Sequence, residues 1–274
     1  MPDQSTPTIG ANRAAATPKA ISPPIFILGV HRSGTSLLTR MVEALGVFVG
    51  NDLQGDHESL SVIAINNAYL NATQSSWDAP RYPGPAELAD NLVKRLLLGN
   101  QQAFFRSFGR PLGIWAMKDP RFVITLPLWR AVFPSSPVLV IRRSPLEIAA
   151  SLHRRHCELQ ASGVFPEDGD FFKGRVKFTQ NCATQEGALA VARQQIAHLD
   201  NLIEQDLCRR RLELSYSALC RDPAFEVWNL SRFLGLKPTE EQVARAIALP
   251  RNGQRGVAEN QAAAARLFDF RDSP

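Results

Sequence analysis

Short apolar runs set the rhythm of the chain. Ile25-Phe26-Ile27-Leu28 lies between Pro23-Pro24 and Gly29, and Val138-Leu139-Val140-Ile141 ends in Arg142-Arg143. Both are continuous rather than alternating, the pattern of strands buried on both faces of a parallel sheet. Residues 113–117 predict a further buried strand and residues 211–215 a fourth. Between them run helical periods over residues 35–45 (stopped by Gly46), 59–70, 86–108, 145–156, 178–207, 223–234 and 239–248, with another helix opened by Asp119-Pro120. Thr239 and Gln242 have the spacing of a capping box. Strand and helix alternate throughout, which predicts an α/β fold with a parallel sheet flanked by helices.

The remaining stretches are irregular. Residues 1–23, rich in Ala, Thr and Pro and without an apolar run, read as a disordered leader rather than a signal peptide. Residues 24–250 form one domain, and the Ala- and Arg-rich tail 251–274 receives no structural assignment. Residues 77–85 and 158–177 read as loops. The second is long enough for a lid or binding loop. Their aromatics, Trp77, Tyr82, Phe165, Phe171 and Phe172, are candidates to stack on a substrate or simply to anchor the loops.

Composition narrows the function classes. In 274 residues, 31 Lys and Arg face 26 Asp and Glu. The surplus serves solubility or attracts a polyanionic ligand. No long Lys/Arg block points to nucleic acid, and no apolar run approaches a membrane span. The four cysteines, Cys157, Cys182, Cys208 and Cys220, form no C-x-x-C pair and lack metal-ligand spacing. The expectation is a soluble, cytoplasmic protein that requires no metal.

The sharpest motif is the turn after the first strand. Gly29 to Gly34 spans G-x-x-x-x-G and is followed by Thr35-Ser36. A nucleotide triphosphatase loop of this shape has Lys where Thr35 stands. Backbone N–H groups around Gly34 and the positive end of the following helix still suit an anion, with Arg32 as the cation inside the loop. The bland alternative is a glycine turn with a Ser/Thr cap. Two further cations fall at the carboxyl ends of predicted strands, where ligands bind in such sheets: Arg143 and Lys118. Arg143 suits bidentate recognition of a phosphate, against the alternative of a surface ion pair. Ser144, Pro145 and Glu147 are accounted for as N-cap, N1 and capping-box residues, and Asp119 as an N-cap.

These segments together resemble the family of sulfotransferases that use 3′-phosphoadenosine 5′-phosphosulfate (PAPS). Residues 30–38, with Arg32-Ser33-Gly34-Thr35-Ser36, are similar to its 5′-phosphosulfate loop. Arg143, Pro145 and Ser151 resemble its 3′-phosphate signature. Residues 115–121 are similar to the K-D-P segment of bacterial carbohydrate-type and tyrosylprotein members. Residues 214–219 are similar to a later R-Y-E-D-L stretch, although Ser217-Ala218 replace its acids, and Phe233-Leu234-Gly235-Leu236 follows. The likeness spans about residues 25–236 and implies the sulfotransferase version of the P-loop fold.

It also implies roles. Arg32 to Ser36 would hold the 5′-phosphosulfate, Arg143 and Ser151 the 3′-phosphate, and Tyr216 the nucleotide. Lys118 and Arg32 would stabilise charge on the transferring group. A hydroxyl acceptor must lose a proton. For that base the family pattern favours Glu58, with Asn66-Asn67 following at suitable spacing; His57 is the alternative, and Glu58 also suits a helix start on electrostatic grounds. The implied acceptor is a carbohydrate, glycolipid or small natural product. The competing functions are a P-loop kinase or NTPase, and a non-catalytic nucleotide-binding protein of the same fold.

Overall fold

The computed structural model describes residues 22–99, 104, 107–109, 113–165, 171–173 and 176–250. The leader and the tail named above therefore lie outside the described residues, apart from Ser22 and Pro23. The central sheet consists of β1 (Ile25–Leu28), β2 (Ala116–Lys118), β3 (Val138–Arg142) and β6 (Arg211–Ser215) in the order β2-β1-β3-β6, with every pairing parallel. The continuous apolar runs have a direct cause. Phe26, Leu28, Val138 and Val140 enter one hydrophobic core, while Ile25, Ile27, Leu139 and Ile141 enter a second on the opposite face. Successive side chains of a strand point to opposite faces, so a sheet covered on both sides needs apolar residues at every position.

The helices supply those covers. In chain order they are α1 (Thr35–Ala44), α2 (Leu60–Ala72), α3 (Pro85–Ala89), α4 (Leu92–Gly99), α5 (Phe122–Arg130), α6 (Pro145–Ala161), α7 (Gln185–Glu204), α8 (Tyr216–Arg221), α9 (Pro223–Leu234) and α10 (Glu240–Ala248). Gly46 stops α1 at φ 95°, and the Thr239–Gln242 capping box forms at the start of α10. Phe26, Phe122, Trp129 and Phe133 fill the first core with edge and stacked contacts, such as 5.1 Å between the rings of Phe26 and Phe122.

Several elements depart from the sequence reading, among them α8, which no helical period announces, and β2, which starts at Ala116 rather than at residue 113. The helix expected over residues 86–108 is interrupted after α3, because Asn91 starts a new helix: its Oδ1 accepts from the Lys94 N–H and its amide donates to the Leu128 carbonyl. Part of that span lies outside the described residues. The helix after Pro145 continues to Ala161, five residues beyond His156, so the loop begins later than expected. Within that loop β4 (Phe171–Lys173) and β5 (Val176–Phe178) pair as an antiparallel hairpin. The helix expected from residue 178 instead starts at Gln185, where the Thr184 hydroxyl accepts from the Gly187 N–H. At α6 the expected capping box is absent. Ser144 is the N-cap and Pro145 is at N1, but no side-chain cap bond forms, and Glu147 lies against Arg143 at 3.6 Å.

The sheet's carboxyl edge is thereby assembled from the ends of β1, β2, β3 and β6. The loop from Gly29 to Gly34, Lys118, Arg143 and Tyr216 all emerge there.

Candidate active site

The loop between β1 and α1 is held in shape by its glycines. A Cβ on Gly29 would meet Ser33 Oγ at 2.6 Å and the Ile141 carbonyl at 2.9 Å, so the loop passes tightly over the end of β3. Gly34 has φ 107°, a left-handed conformation natural to glycine, and the Tyr216 ring occupies the space a Cβ would need. Arg32 is itself left-handed at φ 67°. That strain at a non-glycine residue aims its guanidinium across the loop, where Nε donates to Ser151 Oγ at 2.9 Å. Its carbonyl accepts from Arg143 Nη1 at 3.2 Å, and the Arg143 guanidinium lies 4.2 Å from the Tyr216 ring centre. Five residues scattered between positions 32 and 216 thus form one cluster: Arg32, Gly34, Arg143, Ser151 and Tyr216.

The neighbouring arginine takes another path. Arg142 donates to Glu213 and Asp200, both at 2.7 Å, and serves as an ion-pair centre at the sheet edge. Strand alternation puts Arg142 and Arg143 on different sides. The sequence pair therefore divides into a structural residue and a cleft residue.

A second group lies deeper. Lys118, at the end of β2, is almost fully buried and donates to Glu58 Oε1 at 2.8 Å, to Ser36 Oγ at 3.1 Å and to the Asp56 carbonyl at 2.6 Å. An ammonium has three N–H groups, and all three are matched. The other oxygen of Glu58 accepts from Gln54 Nε2 at 2.6 Å and lies 3.8 Å from Arg121. Arg121 donates to both oxygens of buried Asp119, whose Oδ2 also accepts from Asn66 Nδ2 at 2.9 Å. Asn66 Oδ1 in turn accepts from Thr125 and Trp129. A polar chain thus runs from the core to the cleft. Burial, reinforced by Asp119, raises the Glu58 pKa above the ordinary glutamate value, and Lys118 and Arg121 oppose that rise.

Both groups open into a single cleft of about 490 Å³. Its cations, Arg32, Lys118, Arg121, Arg143 and Arg155, outnumber its carboxylates, Asp56 and Glu58. Burial first, then Arg155 and Arg143, pull Arg32 below the usual arginine value, while Asp56 and Glu158 act in the opposite direction. Three buried nitrogens without a partner, His31 Nε2, Arg121 Nε and Arg143 Nε, belong to side chains that line the cleft. The two unmatched arginine N–H groups, beside an excess of positive charge, fit a polyanionic ligand.

The sequence-derived site residues are brought together with few exceptions. Ser33 is buried under the loop and its hydroxyl has no partner. The Thr35 and Ser36 side chains line the cleft at the start of α1. His57 is not among the lining residues: its Nε2 lies 3.4 Å from Glu43, and Nδ1 accepts from Arg40. Tyr82 stacks on His198 at 3.5 Å, outside the cleft lining, whereas Trp77 and Phe165 line it. The side chains of Phe171 and Phe172 lie outside the described residues. Sequence reasoning missed His31, Gln54, Arg121 and Arg155 in the lining. Asn66, named with Asn67 as the pair following Glu58, lies in the buried chain between Asp119, Thr125 and Trp129.

The Sulfotransferase family model matches residues 23–241, most of the chain. The chain belongs to the sulfotransferase family. Among solved structures, the sulfotransferase from Alicyclobacillus acidocaldarius is similar at 14% identity and TM-score 0.50, over 92% of this chain and 96% of that one. Sulfotransferase STF9 from Mycobacterium avium is similar at 13% identity and TM-score 0.52, over 93% and 78% of the two chains. No curated protein matches the sequence. The family match and the parallel sheet agree that this sulfotransferase is an α/β enzyme. No helix among the described residues is long and apolar enough to cross a membrane, and none of their His, Cys, Asp and Glu side chains cluster to hold a metal ion.

Proposed function

We propose that this sulfotransferase moves the sulfuryl group of PAPS to a hydroxyl acceptor and releases 3′-phosphoadenosine 5′-phosphate (PAP). The observation that carries the reading is the pairing of Arg32 with Ser151 and of Arg143 with Tyr216 across the Gly34 turn, beside the buried Lys118–Glu58 pair. Bound PAPS would supply an activated sulfuryl group on its 5′-phosphate. The loop N–H groups around Gly34, with Thr35 and Ser36, favour that 5′ end at the start of α1. Arg143 and Ser151 receive the 3′-phosphate, the feature that separates this donor from ATP, and Tyr216 packs against the nucleotide.

Glu58 takes the acceptor proton as the acceptor oxygen bonds to sulfur and the bond from sulfur to the 5′-phosphate oxygen breaks. Its raised pKa suits a base better than that of an ordinary carboxylate. Arg32, together with the fixed positive charge of Lys118, whose three N–H groups stay with Glu58, Ser36 and Asp56, stabilises the charge that grows on the sulfuryl oxygens and the departing phosphate. Positioning by fixed groups supplies much of the remaining acceleration, as in phosphoryl transfer.

A thermal-shift titration tests the donor. Stabilisation by PAP and none by ATP with Mg²⁺ is expected. The reverse result returns the protein to the kinase or NTPase class.

A further inference from the structure

Lys118 closes β2 and Arg121 caps the start of α5, and the two cations spend their hydrogen bonds differently. All three N–H groups of Lys118 go to Glu58, Ser36 and Asp56. It brings charge to the inner end of the cleft but no donor for a ligand. The guanidinium of Arg121 is bonded through Nη1 alone, to Asp119 Oδ1 at 2.9 Å and Oδ2 at 3.1 Å, with Glu58 Oε2 3.8 Å from the same nitrogen. Its Nε is buried and has no partner, and the side chain lines the cleft.

An arginine that serves only to neutralise a carboxylate commonly meets it with two nitrogens in parallel. Arg121 meets Asp119 with one. The opposite edge of the planar group, formed by Nε and Nη2, is a fork of parallel N–H groups, and among the described residues no hydrogen bond leaves it. Asp119 does not need that edge. It is fully buried, its Oδ1 also accepts from the Arg121 backbone N–H, and its Oδ2 accepts from Asn66 Nδ2, both at 2.9 Å. Asn66 is fixed in turn: its Oδ1 accepts from Thr125 and Trp129, so its amide N–H groups must face Asp119. The core thus clamps one edge of Arg121 and leaves the fork without a partner. Burial first holds the His31 imidazole well below the ordinary histidine value. Of the four cations that add to this effect, Arg121 acts most strongly, ahead of Lys118, Arg155 and Arg32. The Arg121 charge therefore lies close to the loop that carries His31 and Arg32.

We infer that the Nε–Nη2 fork of Arg121 holds two oxygens of the donor's sulfuryl group. This inference rests on the donor reading above. Two oxygens on one sulfur match the fork as those of a phosphate or carboxylate do. Lys118 offers such a group no N–H, and Arg32 already donates through Nε to Ser151. A buried N–H without a partner is unfavourable until a ligand completes it, and the clamp at Asp119 lets Arg121 receive the group without reorganising.

The test uses the full chain without any acceptor. Calorimetry compares PAPS with PAP, which differ by the sulfuryl group alone, so PAP binding also reports that each variant is folded. Arg121→Lys keeps a cation beside Asp119 but lacks the fork. It should weaken PAPS at least tenfold while leaving PAP within twofold. Arg121→Gln keeps an N–H for Asp119 without charge or fork; it should show the same selective loss, and decides the question if the lysine variant does not fold. Equal weakening of PAPS and PAP, or no weakening of PAPS, overturns the role of the fork alone. Failure of the unaltered chain to bind PAP overturns the donor reading, and this inference with it.

Discussion

At the loop end of the cleft the charged groups are arranged but not satisfied. Arg143 rests on the Arg32 carbonyl and the Tyr216 ring, its Nε has no hydrogen bond, and Glu147 at 3.6 Å is too distant to provide one. At the inner end the opposite holds. Every N–H of Lys118 is matched, and Glu58, Asp119 and Asn66 continue the chain of hydrogen bonds into the core. The loop end relies on backbone conformation and leaves room for an anion to complete it. The inner end, Arg121 Nε apart, is complete by itself and presents charges in fixed positions, as a site must if its groups are not to reorganise during the reaction.

The contrast can be broken most forcefully at Glu58. Glu58→Gln keeps an acceptor for Lys118 but removes the proposed base, and kcat/KM should fall by roughly a hundredfold to ten-thousandfold. In the unaltered enzyme the carboxylate must be ionised to take a proton. Because burial raises its pKa, activity should be lost as pH falls through a value above the ordinary glutamate range. That acidic limb should vanish from the residual activity of Glu58→Gln; a persisting limb assigns the base elsewhere.

Lys118→Met comes next. The rate should drop roughly a hundredfold to a thousandfold. Stability should fall by about 3–5 kcal/mol, because Glu58 is left as a buried charge without its ion-pair partner. The sign with pH is specific. Protonation of Glu58 removes that charge, so the stability deficit, read by urea unfolding, should shrink on acidification and be greatest at alkaline pH. A deficit independent of pH means that the inner end is held by packing rather than by charge pairing.

The loop end should respond in affinity rather than in chemistry. Gly34→Ala forces a side chain into a left-handed position against Tyr216, at a strain cost of about 1–3 kcal/mol. PAP affinity measured by calorimetry should weaken by roughly tenfold or more. Ser151→Ala should have the smallest effect, roughly fivefold in PAP affinity, from the loss of the hydrogen bond to Arg32 and of the one proposed to the 3′-phosphate. Its melting temperature without ligand should be unchanged. A large loss of stability in the absence of ligand would show the loop end to be as self-sufficient as the inner end.

Local signals carried the strands, the loop and the first core. The runs at Ile25–Leu28 and Val138–Arg142 were legible because burial on two faces requires apolar residues at consecutive positions. Gly34 was legible because the turn needs a conformation that favours glycine. The interruption at Asn91 and the late start of α7 at Gln185 were not, because periodicity continues across them and only cap hydrogen bonds mark the boundaries. Arg121 and Arg155 were overlooked in the site for a similar reason: on its own, neither differs from a surface cation.

The sequence by itself therefore determined the alternating α/β order, the glycine turn after the first strand and the choice of Arg32, Lys118, Arg143, Ser151 and Tyr216 as residues to watch. Each of these follows from constraints within a few residues of chain, or from motifs that such constraints preserve. The tertiary structure alone decided the rest. It sent Arg142 to Asp200 and Glu213 but Arg143 to the cleft, turned His57 toward Glu43, and joined Glu58 to Lys118 across 60 positions of sequence. Which partner a charged side chain meets depends on how helices and strands distant in sequence pack around a shared core, and neither periodicity nor capping chemistry encodes that packing.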